Sequence, residues 1–321
     1  MSSFPQFPKF TELKWEHKEE YEELVRGYPP IADIAFSSLM GWWSLKRVPK
    51  ISLLNHNLVI MYTEDKGTGF CLVGTNEVDE SICAIFDFLK THRSVARLVH
   101  VPEFVVNNMR YPALYQFNAE RDYDEYVIDI SKFFPLEKSP IFQQRRVKSF
   151  INKFSESRIS VRQIDLSETA NQEVILGAAA SWPSVGINNL NSHSIQAFER
   201  SIKFADKLGI YNVCLFIDDK LQGFLIFHAP SDRKYVTLEY ARLSYSIPSL
   251  LDFMVFVFSE WFLAQDVTFV NVCMDFNKPV MRVAKLALKP VNFFRKYTIE
   301  PLPNRTSEDS NRKSRSLRAL A

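Results

Sequence analysis

Between Asn271 and Tyr297 the chain gathers the residue types that could do chemistry. An apolar run, Val267 to Val272, predicts a buried strand that empties into a polar corner holding Asp275 and Asn277. A helix opens at Lys278-Pro279 and carries Lys278, Arg282, Lys285 and Lys289 at spacings of four, three and four. That spacing sets all four cations on one helical face, with Val280, Val283, Ala284 and Ala287 on another. A carboxylate at a strand end beside a cationic stripe suits an anionic ligand or a polarised acyl group. The same periodicity also suits a solvated charged face on a packed helix.

The elements that must position these groups alternate irregularly. The acid-rich run Glu12 to Leu24 reads as an amphipathic helix, and Ile31 to Leu45 as an apolar one. Strands are predicted near Lys50 to Leu54, Leu58 to Tyr62 and Gly69 to Val73, then a capped helix over Asn76 to Lys90. Weaker strands, Arg97 to His100 and Pro112 to Phe117, flank a helix near Glu103 to Met109, and Asp124 to Ile130 closes the first half. A basic helix, Ser139 to Phe154, opens the second half, within a stretch (144–162) of six Arg/Lys and one acid. A hairpin pairs Tyr211 to Ile217 with Leu221 to His228 around Asp218-Asp219-Lys220. Tyr235 to Leu243 continues that sheet and Pro248 to Leu263 reads as a buried helix. Two similar α+β units fit this order better than one doubly wound sheet.

Composition narrows the function classes. Hydrophobic residues at 46% and charged residues at 24% are globular values, so a substantial core is expected. The nine glycines leave little material for phosphate-cradling loops. The net charge is +2, but residues 305–321 hold five Arg/Lys against two acids, which leaves the body near −1. A nearly neutral body implies no general nucleic-acid grip, and no DNA partner is expected. Cys71, Cys83, Cys214 and Cys273 show no zinc-knuckle spacing, and His193 and His228 are isolated in surface or edge positions, so no metal is expected. The opening Met-Ser-Ser-Phe-Pro lacks a secretory pattern. The Leu250 to Leu263 run is too short and too interrupted to span a bilayer, so a cytoplasmic protein is expected.

Several motifs then fall in order along almost the whole chain. They are Tyr28-Pro29-Pro30 through Asp33, Phe36, Ser38-Leu39 and Trp42; Glu120-Arg121-Asp122 through Tyr126; and Lys148 to Phe154. Asn271, Asp275, Arg282, Lys285, Pro290, Phe294, Lys296 and Tyr297 complete the series. In these the chain resembles bacterial proteins built like the C-terminal domain of phosphatidylglycerol lysyltransferase. The resemblance implies an α+β fold of two tandem GNAT-like (acyl-CoA N-acyltransferase-like) domains, with mixed sheets flanked by helices. The first is expected over residues 1–135, the second, with the candidate site, over 136–303, and a disordered basic tail over 304–321.

The implied reaction is aminoacyl transfer from a charged tRNA to an acceptor, with no cofactor. Glu239, Asp275, Arg282 and Lys285 survive as the catalytic set, a carboxylate as base and a cation for the oxyanion. Asn271, Lys278, Lys289 and Tyr297 are the expected substrate-binding residues. The charge of the basic tail and of the 144–162 stretch adds peripheral contact with anionic lipid as a further expected partner. The chain also departs from the family. Cys273-Met274-Asp275-Phe276-Asn277 stands where the family carries Glu-Gln-Asp-Leu-Gly, and Thr237-Leu238-Glu239-Tyr240-Ala241 where it carries His-Phe-Glu-Lys-Ala. The alternative is therefore a catalytically degenerate GNAT-like protein that binds tRNA, nucleotide or an anionic metabolite. An acetyl-CoA enzyme is disfavoured, because no Arg/Gln-x-x-Gly-x-Gly/Ala turn exists.

Overall fold

The computed structural model describes residues 2–43, 48–64, 67–155, 158–182, 192–229 and 234–302. Fourteen strands lie in these segments: β1 (Thr11–Glu12), β2 (Lys50–Leu54), β3 (Asn57–Glu64), β4 (Gly67–Val73), β5 (Leu98–Pro102), β6 (Tyr115–Ala119) and β7 (Glu125–Asp129), then β8 (Ile159–Arg162), β9 (Ile210–Ile217), β10 (Lys220–His228), β11 (Tyr235–Leu243), β12 (Phe269–Asn271), β13 (Asn292–Phe294) and β14 (Lys296–Pro301). They form two seven-stranded mixed sheets, one ordered β1-β2-β3-β4-β5-β14-β6 and the other β13-β7-β12-β11-β10-β9-β8. The tail expected over 304–321 lies outside the described residues.

Two strands are exchanged relative to chain order. β7 leaves the first half to pair antiparallel with β12 and β13 of the second sheet. β14, from the end of the chain, inserts between β5 and β6 of the first. Contacts accordingly divide the chain into two discontinuous units. One holds residues 2–3, Glu12–Pro49 and Asp122–Phe294; the other holds Phe4–Thr11, Lys50–Arg121 and the described residues from Arg295.

The unit built on the first sheet packs the Val78–Thr91 helix through Val78, Ile82, Ile85 and Leu89 onto Val59, Leu72, Leu98 and Ile299. Those helix residues recur at intervals of three and four, which is why this run reads as one buried face.

In the unit built on the second sheet, the Leu250–Leu263 helix buries Leu250, Phe253, Met254, Phe258 and Phe262 against the sheet. The basic Ile141–Phe154 helix lies over it, with Phe150 stacked 4.4 Å from Phe253. Asp218 and Asp219 both have positive φ and close the β9–β10 hairpin as a two-residue turn, matched to the strand twist. The single helix expected over Ile31–Leu45 does not form. Residues 32–43 make short helical turns over Ala32–Ile34, Phe36–Ser38 and Leu39–Trp43, interrupted by an extended Ala35. Tertiary hydrogen bonds explain the break: the Ala32 amide donates to Glu125 (2.8 Å) and the Ser37 hydroxyl to Glu239. Among the described residues no helix is long and apolar enough to cross a membrane.

Candidate functional site

Past β12 the chain turns through Val272 to Asn277 before the Pro279–Ala287 helix begins. Cys273, Phe276 and Asn277 all hold left-handed backbone, with φ of 58°, 51° and 57°. Asparagine tolerates that region better than other side chains, so Asn277 can keep the turn that the family makes with glycine. The turn closes on Asp275, whose side chain accepts the Asn277 amide (2.9 Å) and whose carbonyl accepts the Lys278 amide (2.9 Å).

Asp275 is fully buried. Arg282 donates to it from Nε (2.8 Å) and Nη2 (2.9 Å), and the same Nη2 reaches Asp122 (2.9 Å). The Tyr126 hydroxyl, from β7, also donates to Asp275. Burial alone would raise the carboxyl pKa, but the donors from Arg282, Tyr126 and Asn277 outweigh it and hold the group at about 2. Lys285 donates to the carbonyls of Val272 and Met274 (2.8 Å to the latter), and burial lowers its pKa to about 8. Asp275, Arg282 and Lys285 thus meet, as an ion-paired brace under the turn.

The helix carrying these cations is turned opposite to the ordinary amphipathic sense. Arg282 and Lys285 point to the buried polar groups, whereas Val280 and Val283 are 67% and 69% exposed. The reason is local: the inner face of this helix meets a carboxylate and free strand-end carbonyls, which demand donors rather than methyl groups.

The residues expected to bind substrate separate. Asn271 is buried and donates to the Pro30 carbonyl (3.0 Å) and to Glu125, so it ties β12 to β7 and to the Tyr28-Pro29-Pro30 segment. Lys278 caps the helix and is half-buried, while Lys289 is exposed. Tyr297 lies on β14 in the other unit, its hydroxyl 3.4 Å from Glu103. His228, expected at the surface or an edge, is buried, and desolvation lowers its pKa to about 4.

Glu239 occupies a different setting from the Asp275 brace. On β11, Tyr240 pairs with Ile226 and Leu238 with Phe227, so Glu239 is the extra residue of a β-bulge. Bulges re-aim side chains and recur beside active sites. One carboxylate oxygen accepts from Ser37; Oε2 is buried with no hydrogen-bond partner. Desolvation, only partly countered by Ser37, raises its pKa to about 7. The neighbouring Tyr240 stacks its ring parallel to Trp42 at 6.0 Å and sets its hydroxyl 3.5 Å from that of Ser201. Arg242, two residues on, donates to the Ala179 carbonyl instead of pairing with Glu239. Ser37, Glu125 and Tyr126 are the polar partners that sequence reasoning did not single out as site residues. Tyr126 closes the Glu120-to-Tyr126 motif, whose span also holds Glu125, and Ser37 lies between the motif residues Phe36 and Ser38; that placement is the signal the sequence offered.

A cleft of about 380 Å³ opens in the same unit between the two helices that flank the end of β11. Phe142 and Arg146 line one side, Ala284 and Ala287 the other, and Tyr245 and Leu251 part of the rest. Among the described residues no cluster of His, Cys, Asp and Glu is arranged to hold a metal ion.

Solved structures match this architecture. A conserved protein of unknown function from Bacteroides thetaiotaomicron is similar at 15% identity and a TM-score of 0.78, over 90% of this chain and 98% of that one. L-PGS from Bacillus licheniformis is similar at 13% identity and a TM-score of 0.60, over 96% of each chain. A C-terminal domain ascribed to a lysylphosphatidylglycerol synthetase from Agrobacterium fabrum gives 13% identity and a TM-score of 0.61, over 89% of this chain and 92% of that one. At such identities the likeness establishes the fold, tandem GNAT-like, with two mixed sheets flanked by helices. No protein of curated function matches the sequence. The family model described as phosphatidylglycerol lysyltransferase, C-terminal, matches residues 38–296, from the turn after Ser37 to the first residue of β14, and the chain belongs to that family.

Proposed function

We propose that this protein transfers an aminoacyl group from an aminoacyl-tRNA ester to a nucleophilic acceptor, with Glu239 as the proton acceptor. Family and fold support an acyltransferase of the lysyltransferase or GNAT-like kind. The observation that carries the finer reading is the buried Glu239 carboxyl, with pKa about 7 and Oε2 unpartnered. A carboxylate so poised takes a proton near neutral pH, as a general base must.

In the proposed step the acceptor amine or hydroxyl attacks the ester carbonyl carbon and gives its proton to Glu239. The tetrahedral adduct then collapses, the carbon–oxygen bond to the tRNA ribose breaks, and the departing oxygen takes that proton back. The donor ester is already activated, so positioning and one proton relay suffice. Ser37 orients the carboxyl. Asp275, Arg282 and Lys285 act as positioning residues, because their hydrogen bonds are committed to the turn. Lys278 and Lys289, at the two ends of the helix, suit the phosphates of the carrier. Charged tRNA as donor implies a cytoplasmic site of action.

Purified protein incubated with tRNA bearing radiolabelled lysine, phosphatidylglycerol vesicles and soluble amine acceptors tests the reading. Transfer should occur, and Glu239→Gln should lower it about 10²- to 10⁴-fold without weakening tRNA binding. Equal rates for parent and Glu239→Gln would remove Glu239 from the chemistry. A second reading, binding without turnover, is favoured by the saturated bonding of Asp275 and by the family carboxylate, histidine and lysine missing here. Salt-sensitive binding of charged tRNA with no transfer to any acceptor would establish it.

A further inference from the structure

The Tyr28-Pro29-Pro30 segment lines a small hollow that the proposed transfer step does not use. Its volume is about 50 Å³, and Val25, Tyr28, Pro29 and Ile34 give it a mostly apolar wall. At about 10–15 Å³ for each water-sized group, it has room for about four non-hydrogen atoms. Polar groups on neighbouring elements hold that wall in place. Asn271 donates to the Pro30 carbonyl, Glu125 accepts the Ala32 amide, and the Tyr21 hydroxyl donates to the Ile34 carbonyl (2.7 Å). A Cβ added at Gly27 would meet nothing within 4 Å, so the hollow opens to solvent on that side.

One carboxylate enters the lining. Glu22 lies on the Lys18–Val25 helix, one turn after Lys18 and one turn before Arg26, where a helix ordinarily supplies ion-pair partners. Both cations are committed elsewhere, Arg26 to Glu23 (2.6 Å) and Lys18 to the Lys207 carbonyl (3.0 Å). Glu22 makes no hydrogen bond or ion pair to any described residue. Half-buried, it has its pKa raised by desolvation, which Lys18 only partly offsets. A shielded carboxylate in that state gains from a cation brought by a ligand. Glu22 also lies ahead of residues 38–296 and outside the collinear motifs, so the family assignment does not account for it.

We infer that this hollow binds a primary alkylammonium, its charged nitrogen against Glu22 and its methylene stem along the proline wall. The lining discriminates between ligands. Glu22 repels an anion, a neutral chain leaves the carboxylate unpaired, and an aromatic wall at Tyr28 favours an ammonium end. Two segments lead from the hollow to Glu239. Ala35 and Thr237 line it, and Ser37 and Glu239 follow them by two residues, about 7 Å further along β11 in the latter case. The ammonium then belongs either to the side chain of the transferred residue or to the far end of a diamine acceptor. That role rests on the reading of Glu239; the binding itself does not.

Calorimetry with the full chain and simple amines tests the site without turnover, so its outcome is separable from the reading of Glu239. Butylamine and pentanediamine should bind and butanol should not. Affinity should climb from methylamine to butylamine and then level off as the hollow fills. Glu22→Gln should weaken butylamine about tenfold and keep the thermal midpoint, since glutamine is an equally good helix former. Equal affinity of parent and Glu22→Gln for butylamine, or butanol binding as tightly as butylamine, overturns the inference. Turnover assigns the source of the ammonium. A KM raised by Glu22→Gln for lysyl-tRNA but not alanyl-tRNA gives the site to the transferred side chain. A KM raised for pentanediamine but not butylamine as acceptor gives it to the acceptor, and no selective rise in either comparison removes the site from the transfer.

Discussion

Arg282 grips Asp275 through two nitrogens, Nε 2.8 Å from Oδ2 and Nη2 2.9 Å from Oδ1, while that carboxyl is wholly shielded from solvent. Two charges that looked like free catalytic groups in the sequence are committed to each other. The geometry is the bidentate fork that makes such pairs strong, and it leaves the turn from β12 into the helix little freedom.

Removing that charge should be costly. Asp275→Asn leaves Arg282 with Asp122 alone and is expected to destabilise the protein by about 2–4 kcal/mol. The loss should read out as a lower urea midpoint at unchanged slope. Because the folded-state pKa is depressed to about 2 from an ordinary 3.8, the stabilisation is present above pH 3.8 and lost as pH falls towards 2. The asparagine variant should lose that part of the acid sensitivity; an unaltered acid profile would count against the brace.

Glu239 should behave in the opposite sense. Its folded-state pKa is raised from 4.5 to about 7, so the stability it contributes is full below pH 4.5 and is lost as pH rises through 7. Glu239→Gln is therefore expected to match the parent near pH 4.5 and to exceed it at pH 8 by up to about 3 kcal/mol. Urea midpoints at the two pH values check this. A variant less stable than the parent at pH 8 would mean that the carboxylate is held by partners other than Ser37.

Asn277 tests the backbone argument. At φ 57°, Asn277→Gly should be nearly neutral, whereas Asn277→Val should cost about 1–2 kcal/mol. Thermal midpoints for the pair suffice, and similar losses from both would show that the side chain rather than the backbone conformation matters.

Lys285→Met removes the donor shared by the Val272 and Met274 carbonyls. Each carbonyl left without a partner costs about 1–3 kcal/mol. Hydrogen exchange at the amides of residues 272–277 should rise selectively; uniform exchange across β11 and the turn would place the ammonium's role elsewhere.

What the sequence determined by itself was mostly local. Apolar runs on either side of the Asp218-Asp219-Lys220 turn mark β9 and β10, and the run from Tyr235 to Leu243 has the ends found in the structure. Three-and-four spacing marks the Val78–Thr91 and Leu250–Leu263 helices. Collinear motifs carried the family. These features depend on side chains within one turn or one pleat of each other, so adjacency in the chain is enough to reveal them. Tertiary structure decided the rest. The exchange of β7 and β14 between sheets rests on pairings far apart in sequence, and no periodicity records which strand a given edge will accept. The orientation of the Pro279–Ala287 helix was decided in the same way: its amphipathic pattern is legible, but which face turns inward depends on what waits there. A buried carboxylate and unpaired carbonyls drew in the cations of Arg282 and Lys285 and left the valines outside. Glu239 became distinctive only when a bulge on β11 set it beside Ser37, some two hundred residues away, with one carboxylate oxygen bonded to that serine and the other left unpartnered.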